Sequence, residues 1–142
     1  MHLNLPTYQF KITKQNEKPF IYDIIRRKLV SLTPEEWVRQ HIINFLVNYK
    51  NFNKTLIAVE RKLSYLNSFK RFDILVFNNK AEPEILIECK APTVNLTSET
   101  ALQLALYNQQ YKAKIIIISN GINHFAWQLD INSEYQSFSF FE

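Results

Sequence analysis

Residues 71–90 read RFDILVFNNKAEPEILIECK, two apolar runs joined by a short polar segment, and this stretch most constrains the fold. Each run has the length of a strand. Asn78-Asn79-Lys80 and the residues to Pro83 supply a turn, so a hairpin is predicted from Phe72–Phe77 and Glu84–Cys89. Side chains alternate faces along a strand. Glu88 and Lys90 therefore share one face and Cys89 takes the other. Pairing of the strands brings Asp73, fifteen positions before Glu88, to the same face as Glu88. Asp73 is one of only three aspartates and interrupts an apolar run, although aspartate is disfavoured in strands. Pro92 stops the second strand just past Lys90, leaving the acid–lysine pair at a strand end.

The rest of the chain places elements around this hairpin. Tyr8, Phe10 and Ile12 alternate, as do the residues around Phe20-Ile21-Tyr22, and both read as short strands. A basic segment runs from Asp23 to Val30. In Leu32-Thr33-Pro34-Glu35-Glu36, Thr33 is an N-cap, Pro34 the first helical residue and Glu36 the partner in a capping box. Val38, Ile42, Phe45 and Tyr49 then recur at helical spacing to about Lys50. A strand follows at Leu56–Glu60. Thr97 or Ser98 caps a second helix that runs to about Lys112. Lys114–Ser119 holds four consecutive isoleucines, a strand buried on both faces. Asn120-Gly121 turns it into Phe125–Leu129, and a last strand passes Tyr135 and Phe140. The order predicts an α/β domain over 1–142: a mixed sheet flanked by helices, with a strand extension over 1–31, a core over 32–130 and a C-terminal strand over 131–142.

Composition removes several classes of function. Hydrophobic residues make up 46% and charged residues 21%, which suits a globular chain with a real core. Gly121 is the only glycine, so neither GxGxxG nor GxxxxGK[ST] can be written, and nucleotide binding on a glycine-rich loop is excluded. One cysteine and three scattered histidines exclude an internal disulfide framework and a Cys/His zinc cluster. No run approaches the ~20 apolar residues of a membrane span. MHLNLPTYQF lacks the basic and apolar regions of a signal peptide, so a cytoplasmic protein with no membrane partner is expected. The net charge of +4 permits a polyanionic partner without demanding one.

Two carboxylates beside an ammonium suit a hard cation and a phosphate. Mg²⁺ or Mn²⁺ takes oxygen ligands and keeps several waters, so Asp73 and Glu88, with the backbone carbonyl of Cys89, suffice to hold it. Such an ion polarises a phosphoryl oxygen and acidifies bound water, and Lys90 stands where it can meet that water or the developing phosphorane charge. A solvated cross-strand Glu–Lys arrangement accounts for the same residues without chemistry. Gln103, Tyr107 and Gln110 form a polar stripe on the second helix. Either they lean over Lys90 or they are an ordinary solvated face. Glu36, with Gln40 one turn on, either completes its capping box or turns to the site as a third carboxylate, and Glu35 is expected in solvent. Arg26, Arg27, Lys28, Arg39, Gln40, Arg61, Lys62, Lys70 and Arg71 are candidates for a phosphate-tracking surface, with scattered solvated charge as the competing account. Cys89 reads as a buried small hydrophobe.

The segment from Asp23 to Lys28, the stretch TPEEWVRQ, then RFDILVF, ILIECKAP and Gln103-x-x-x-Tyr107 together resemble the N-terminal nuclease domain of the type I restriction enzyme motor subunit. More narrowly, they resemble small stand-alone proteins built from that domain. The resemblance runs roughly from Phe20 to Leu129. It implies the PD-(D/E)xK nuclease fold, with Asp73, Glu88 and Lys90 at the metal-binding and catalytic positions. Glu36 then matches the acid of the first helix, and Gln103 and Tyr107 match the extra motif of one branch of the superfamily. The activity implied is Mg²⁺-dependent hydrolysis of DNA phosphodiester bonds, in restriction or in DNA repair. The expected partners are DNA and either a second copy or a separate motor or specificity protein. The alternative is a non-cleaving module that binds nucleic acid or a partner on the same fold.

Overall fold

The structure is a computed structural model that describes residues 2–61 and 71–142; Lys62 and Lys70 lie outside the described residues. Three short strands come first: β1 (Ile12–Gln15), β2 (Lys18–Asp23) and β3 (Lys28–Ser31) form an antiparallel sheet in that order. The alternation at Tyr8 and Phe10 does not make a strand. Their rings pack instead against the helix that follows, with Phe10 4.8 Å from His41 and 5.2 Å from Trp37 between ring centres. The basic segment is split by a turn between β2 and β3, with Asp23 closing β2.

Helix α1 (Pro34–Asn44) begins where its signals place it: Thr33 Oγ1 accepts the Glu36 amide at 3.0 Å and Pro34 opens the first turn. The reciprocal half of the expected capping box is missing, because the Glu36 carboxylate is taken by arginines and Gln40. The predicted helix to Lys50 finishes as a π-helical turn, Phe45–Tyr49. This wider turn shifts the phase of the stripe. Val38, Ile42 and Phe45 are buried, but Tyr49 is exposed and stacks on Phe45.

The main sheet contains β4 (Ile57–Val59), β5 (Ile74–Phe77), β6 (Pro83–Cys89), β7 (Ile115–Ser119), β8 (His124–Leu129) and β9 (Tyr135–Phe138), paired in chain order. It is mixed: β6 and β7 are parallel and every other pair is antiparallel. The parallel pair needs a crossover, which is α2 (Ser98–Tyr111), capped by Thr97. Two cores follow from the two-residue period. Ile74, Val76, Ile85, Ile87, Cys89 and Ile117 pack with Val38, Ile42 and Phe45 of the α1 side. Leu75, Leu86, Ile116 and Ile118 pack with Leu104 and Tyr111 of α2. The isoleucine run is thus divided between both faces, as its continuity predicts. No helix among the described residues is long and apolar enough to cross a membrane.

Candidate active site

The hairpin register fixes the first part of the site. Ile74 pairs with Ile87, so one step further places Asp73 beside Glu88 at the end of the strands. Strand β5 starts at Ile74 rather than Phe72, since the Asp73 side chain takes over a strand-end hydrogen bond: its Oδ2 accepts the Cys89 amide at 2.7 Å. On its other flank, the Glu60 amide donates to the Asp73 carbonyl at 2.9 Å. Glu60, at the end of β4, therefore joins the site, a residue that sequence reasoning missed.

On the α1 side, Arg39 reaches into this strand end from a fully enclosed position. Its side chain is 2% exposed. Nη1 donates to Glu36 Oε1 at 2.6 Å. Nη2 lies 3.2 Å from Asp73 Oδ1, 3.1 Å from Glu60 Oε1 and 3.3 Å from Glu35 Oε2. Burial works against its charge, but the Asp73, Glu36 and Glu60 carboxylates more than offset this and raise its pKa. Arg26 makes a second bridge: Nε to Asp23 Oδ2 at 2.6 Å, Nη2 to Glu36 Oε2 at 2.7 Å and Nη1 to Glu60 Oε2 at 3.2 Å. Gln40 Nε2 closes the group on Asp23 Oδ2 (2.9 Å) and Glu36 Oε2 (3.0 Å). Asp23 is fully buried, which alone would raise its pKa. Hydrogen bonds from the Arg26 amide and side chain and from Gln40 overcome that and hold the carboxyl below its ordinary value.

The α2 side is looser. Glu88 and Lys90 are partly exposed, with Lys90 Nζ 3.7 Å from Glu88 Oε1. They line a cleft of about 50 Å³ together with Thr100, Gln103, Leu104 and Tyr107 of α2. Gln103 and Tyr107 thus face the acid–lysine pair, and Gln110 of the same stripe is exposed outside this cleft. The Tyr107 and Tyr111 hydroxyls lie 3.3 Å apart. Cys89 points into the opposite core, fully buried, and burial holds its thiol neutral by raising its pKa well above the usual value.

The structure therefore sorts the sequence candidates. It brings Glu88, Lys90, Gln103 and Tyr107 around one cleft and sets Asp73 at the adjoining strand end, bonded to Arg39 and the Cys89 amide. Glu36 is near them but buried, each oxygen engaged by an arginine, so its acid serves the network and not a capping box. Glu35, expected in solvent, has a side chain 45% exposed and also sits beside Arg39. Burial raises its pKa, the nearby Asp73 charge adds to that, and Arg39 and Lys90 oppose it. Arg39 and Gln40 are buried and Arg26 is wired inward, so these three do not belong to an outer phosphate-tracking surface. Arg27, Lys28, Arg61 and Arg71 are exposed. Asp23 was hidden in the sequence by the basic residues that follow it. The signal was its place three residues before Arg26.

The donor set can be tested against a divalent ion. Asp73 and Glu88 offer hard oxygen atoms from adjacent strands, and the neighbouring thiol is neutral. Among the described residues no three acidic, histidine or cysteine side chains are grouped to hold an ion. An ion at this place would complete its shell with backbone carbonyl and water. That suits Mg²⁺ or Mn²⁺ and not a closed structural zinc site.

A mixed sheet with one helix on each face and an acid–lysine hairpin defines a class broader than one activity. Within that class, the family described as the type I restriction enzyme R protein N terminus matches residues 34–141, and the chain belongs to this family. No curated protein matches the chain. The family supplies a nuclease-related, restriction–modification context. The match begins at α1, so the three-stranded sheet with Asp23 and Arg26 lies outside it.

Proposed function

We propose that this chain is a Mg²⁺-dependent deoxyribonuclease of the PD-(D/E)xK fold. The observation that supports the reading is that Glu88 and Lys90 face Gln103 and Tyr107 across one cleft, with Asp73 one register step beyond the Ile74–Ile87 pair. Asp73, Glu88 and the Cys89 carbonyl would hold the ion. When bound, such an ion supplies a polarised phosphoryl oxygen and an acidified water. Lys90 offers an ammonium to the attacking water or to the charge that gathers on phosphorus, and Gln103 and Tyr107 offer hydrogen bonds to the same region. Arg39 and the Cys89 amide each engage one Asp73 oxygen, which fixes the orientation of the carboxylate. DNA is the substrate this reading requires, and a separate motor or specificity protein, or a second copy, the further partner.

One observation favours the alternative of a non-cleaving binding module: Arg39 already neutralises Asp73 without any ion. Plasmid nicking in Mg²⁺ or Mn²⁺, with EDTA as control, separates the two. Lys90→Ala is expected to keep metal binding by calorimetry and lose cleavage by on the order of 10²–10³. Asp73→Ala is expected to lose both. Wild-type protein that binds neither ion and nicks nothing would leave the binding module standing.

A further inference from the structure

The turn between β2 and β3 divides two adjacent arginines. Asp23 Oδ1 accepts the Ile25 and Arg26 amides at 2.7 and 2.8 Å, and the Arg27 amide donates to the Asp23 carbonyl at 2.7 Å. Arg27 takes a left-handed backbone conformation, φ 57°. Arg26 consequently points into the carboxylate network, while Arg27 is exposed and lines an open hollow of about 570 Å³. Tyr22, Ile24, Ile25, Lys54, Thr55 and Ile57 complete its walls, so among the described residues two cations and no acid face this space.

The hollow opens onto the outer face of the three-stranded sheet. Ile21 and Asp23 of β2 are buried, so Lys18, Phe20 and Tyr22 lie on the opposite face. Exposed Lys11 reaches over the Tyr22 ring, its Nζ 5.6 Å from the ring centre. Thr13 and Ser31 stand on either side of Phe20 in register. The path from Lys54 and Arg27 past Lys11 and Tyr22 to Phe20 and Lys18 therefore places cations on both sides of a pair of rings. Among the described residues on this path the exposed acid is Glu17, in the tip of the β1–β2 turn. The path is also anchored to the site. Arg26 ties its turn to Glu36 and Glu60, and Ile57 in the hollow is three strand residues, about 10 Å, from Glu60.

We infer that this outer face and hollow form a binding surface for the sugar–phosphate backbone of DNA, holding the strand beside the strand-end site. Cations flanking a pair of partly exposed aromatic rings match a polyanion whose bases can stack, and a protein-binding patch of this size would bury the charges at a cost. The inference deepens the nuclease reading by naming where the polymer runs, and rests on it for the purpose of the surface.

Binding of fluorescent single- and double-stranded oligonucleotides, measured by anisotropy in EDTA, tests the surface without cleavage. Lys11→Ala/Arg27→Ala/Lys54→Ala is expected to weaken binding by on the order of tenfold or more at about 0.1 M salt and to reduce the slope of log K against log salt by about two to three. The control Lys80→Ala/Lys112→Ala/Lys114→Ala, with the same change in charge, is expected to bind nearly as the wild type. Circular dichroism and melting check that both variants fold. Equal losses in the two triple variants, or none in the first, would overturn the surface. A selective loss in the first variant, in a protein that nicks no plasmid, would uphold the surface and reject the nuclease.

Discussion

The two flanks of the strand end are built on opposite terms. On the α1 flank, Arg26, Arg39, Asp23, Glu36 and Gln40 are largely enclosed and joined by contacts as short as 2.6 Å. On the α2 flank, Glu88 and Lys90 are about one third exposed and 3.7 Å apart, facing Gln103 and Tyr107 across a cleft. The Asp23 and Glu36 carboxylates, with both oxygens engaged and little access to water, hold a structure. Partly exposed side chains at a cleft can accept something new. Asp73 belongs to both, since it is gripped by Arg39 from one flank and stands beside Glu88 on the other.

The comparison breaks if the flanks respond alike to charge removal. Arg39→Ala should have the largest effect, about 3–5 kcal/mol of lost stability by urea denaturation, because it leaves the buried Glu36 Oε1 without its donor and frees Asp73 and Glu60 to repel. Arg26→Ala should cost less, on the order of 2 kcal/mol, since its guanidinium is partly open to water. Lys90→Ala should change stability by less than about 1 kcal/mol, as its pairing is long and solvated. A Lys90→Ala variant as unstable as Arg39→Ala would end the division into a holding flank and a working flank.

The smallest effect concerns pH. His41 and His124 have pKa values lowered by burial, against the raising influence of their backbone partners. Both are neutral in the folded protein and take up protons on unfolding below their ordinary pKa of about 6.5. Their contribution is therefore present above that value and lost as pH falls through the lowered folded values. Urea midpoints measured from pH 7.5 down to 5.5 should fall, and fall less in His41→Gln.

Much of the fold was legible because its signals are local. The hairpin, the Thr33 and Thr97 caps and the twice-buried isoleucine strand need only alternation, turn residues and capping chemistry. The faces of Glu88 and Cys89 followed from the same two-residue period. What escaped was decided by partners distant in sequence. Glu36 left its capping role for Arg26, ten positions upstream, and Arg39. Glu60 looked like the polar end of an ordinary strand until Asp73 was seen beside it. The spacing of Arg39 from Glu35 and Glu36 is that of helical ion pairs, a legible hint that it serves the helix before any phosphate. Tyr49 was misplaced because a π-helical turn has no period that a helical stripe reveals.

Arg39 meets Asp73 across 34 positions of chain, whereas Asp73 and Glu88 are joined by one short hairpin. The short loop closes sooner and at lower entropic cost. Taken alone, that hairpin places two like charges side by side, and docking of helix α1 brings the Arg39 cation to one of them. The hairpin is handicapped until the helix docks. The charges thus act against half-folded states more than they strengthen the finished one, and the strand end is expected to assemble, and to come apart, as a single step.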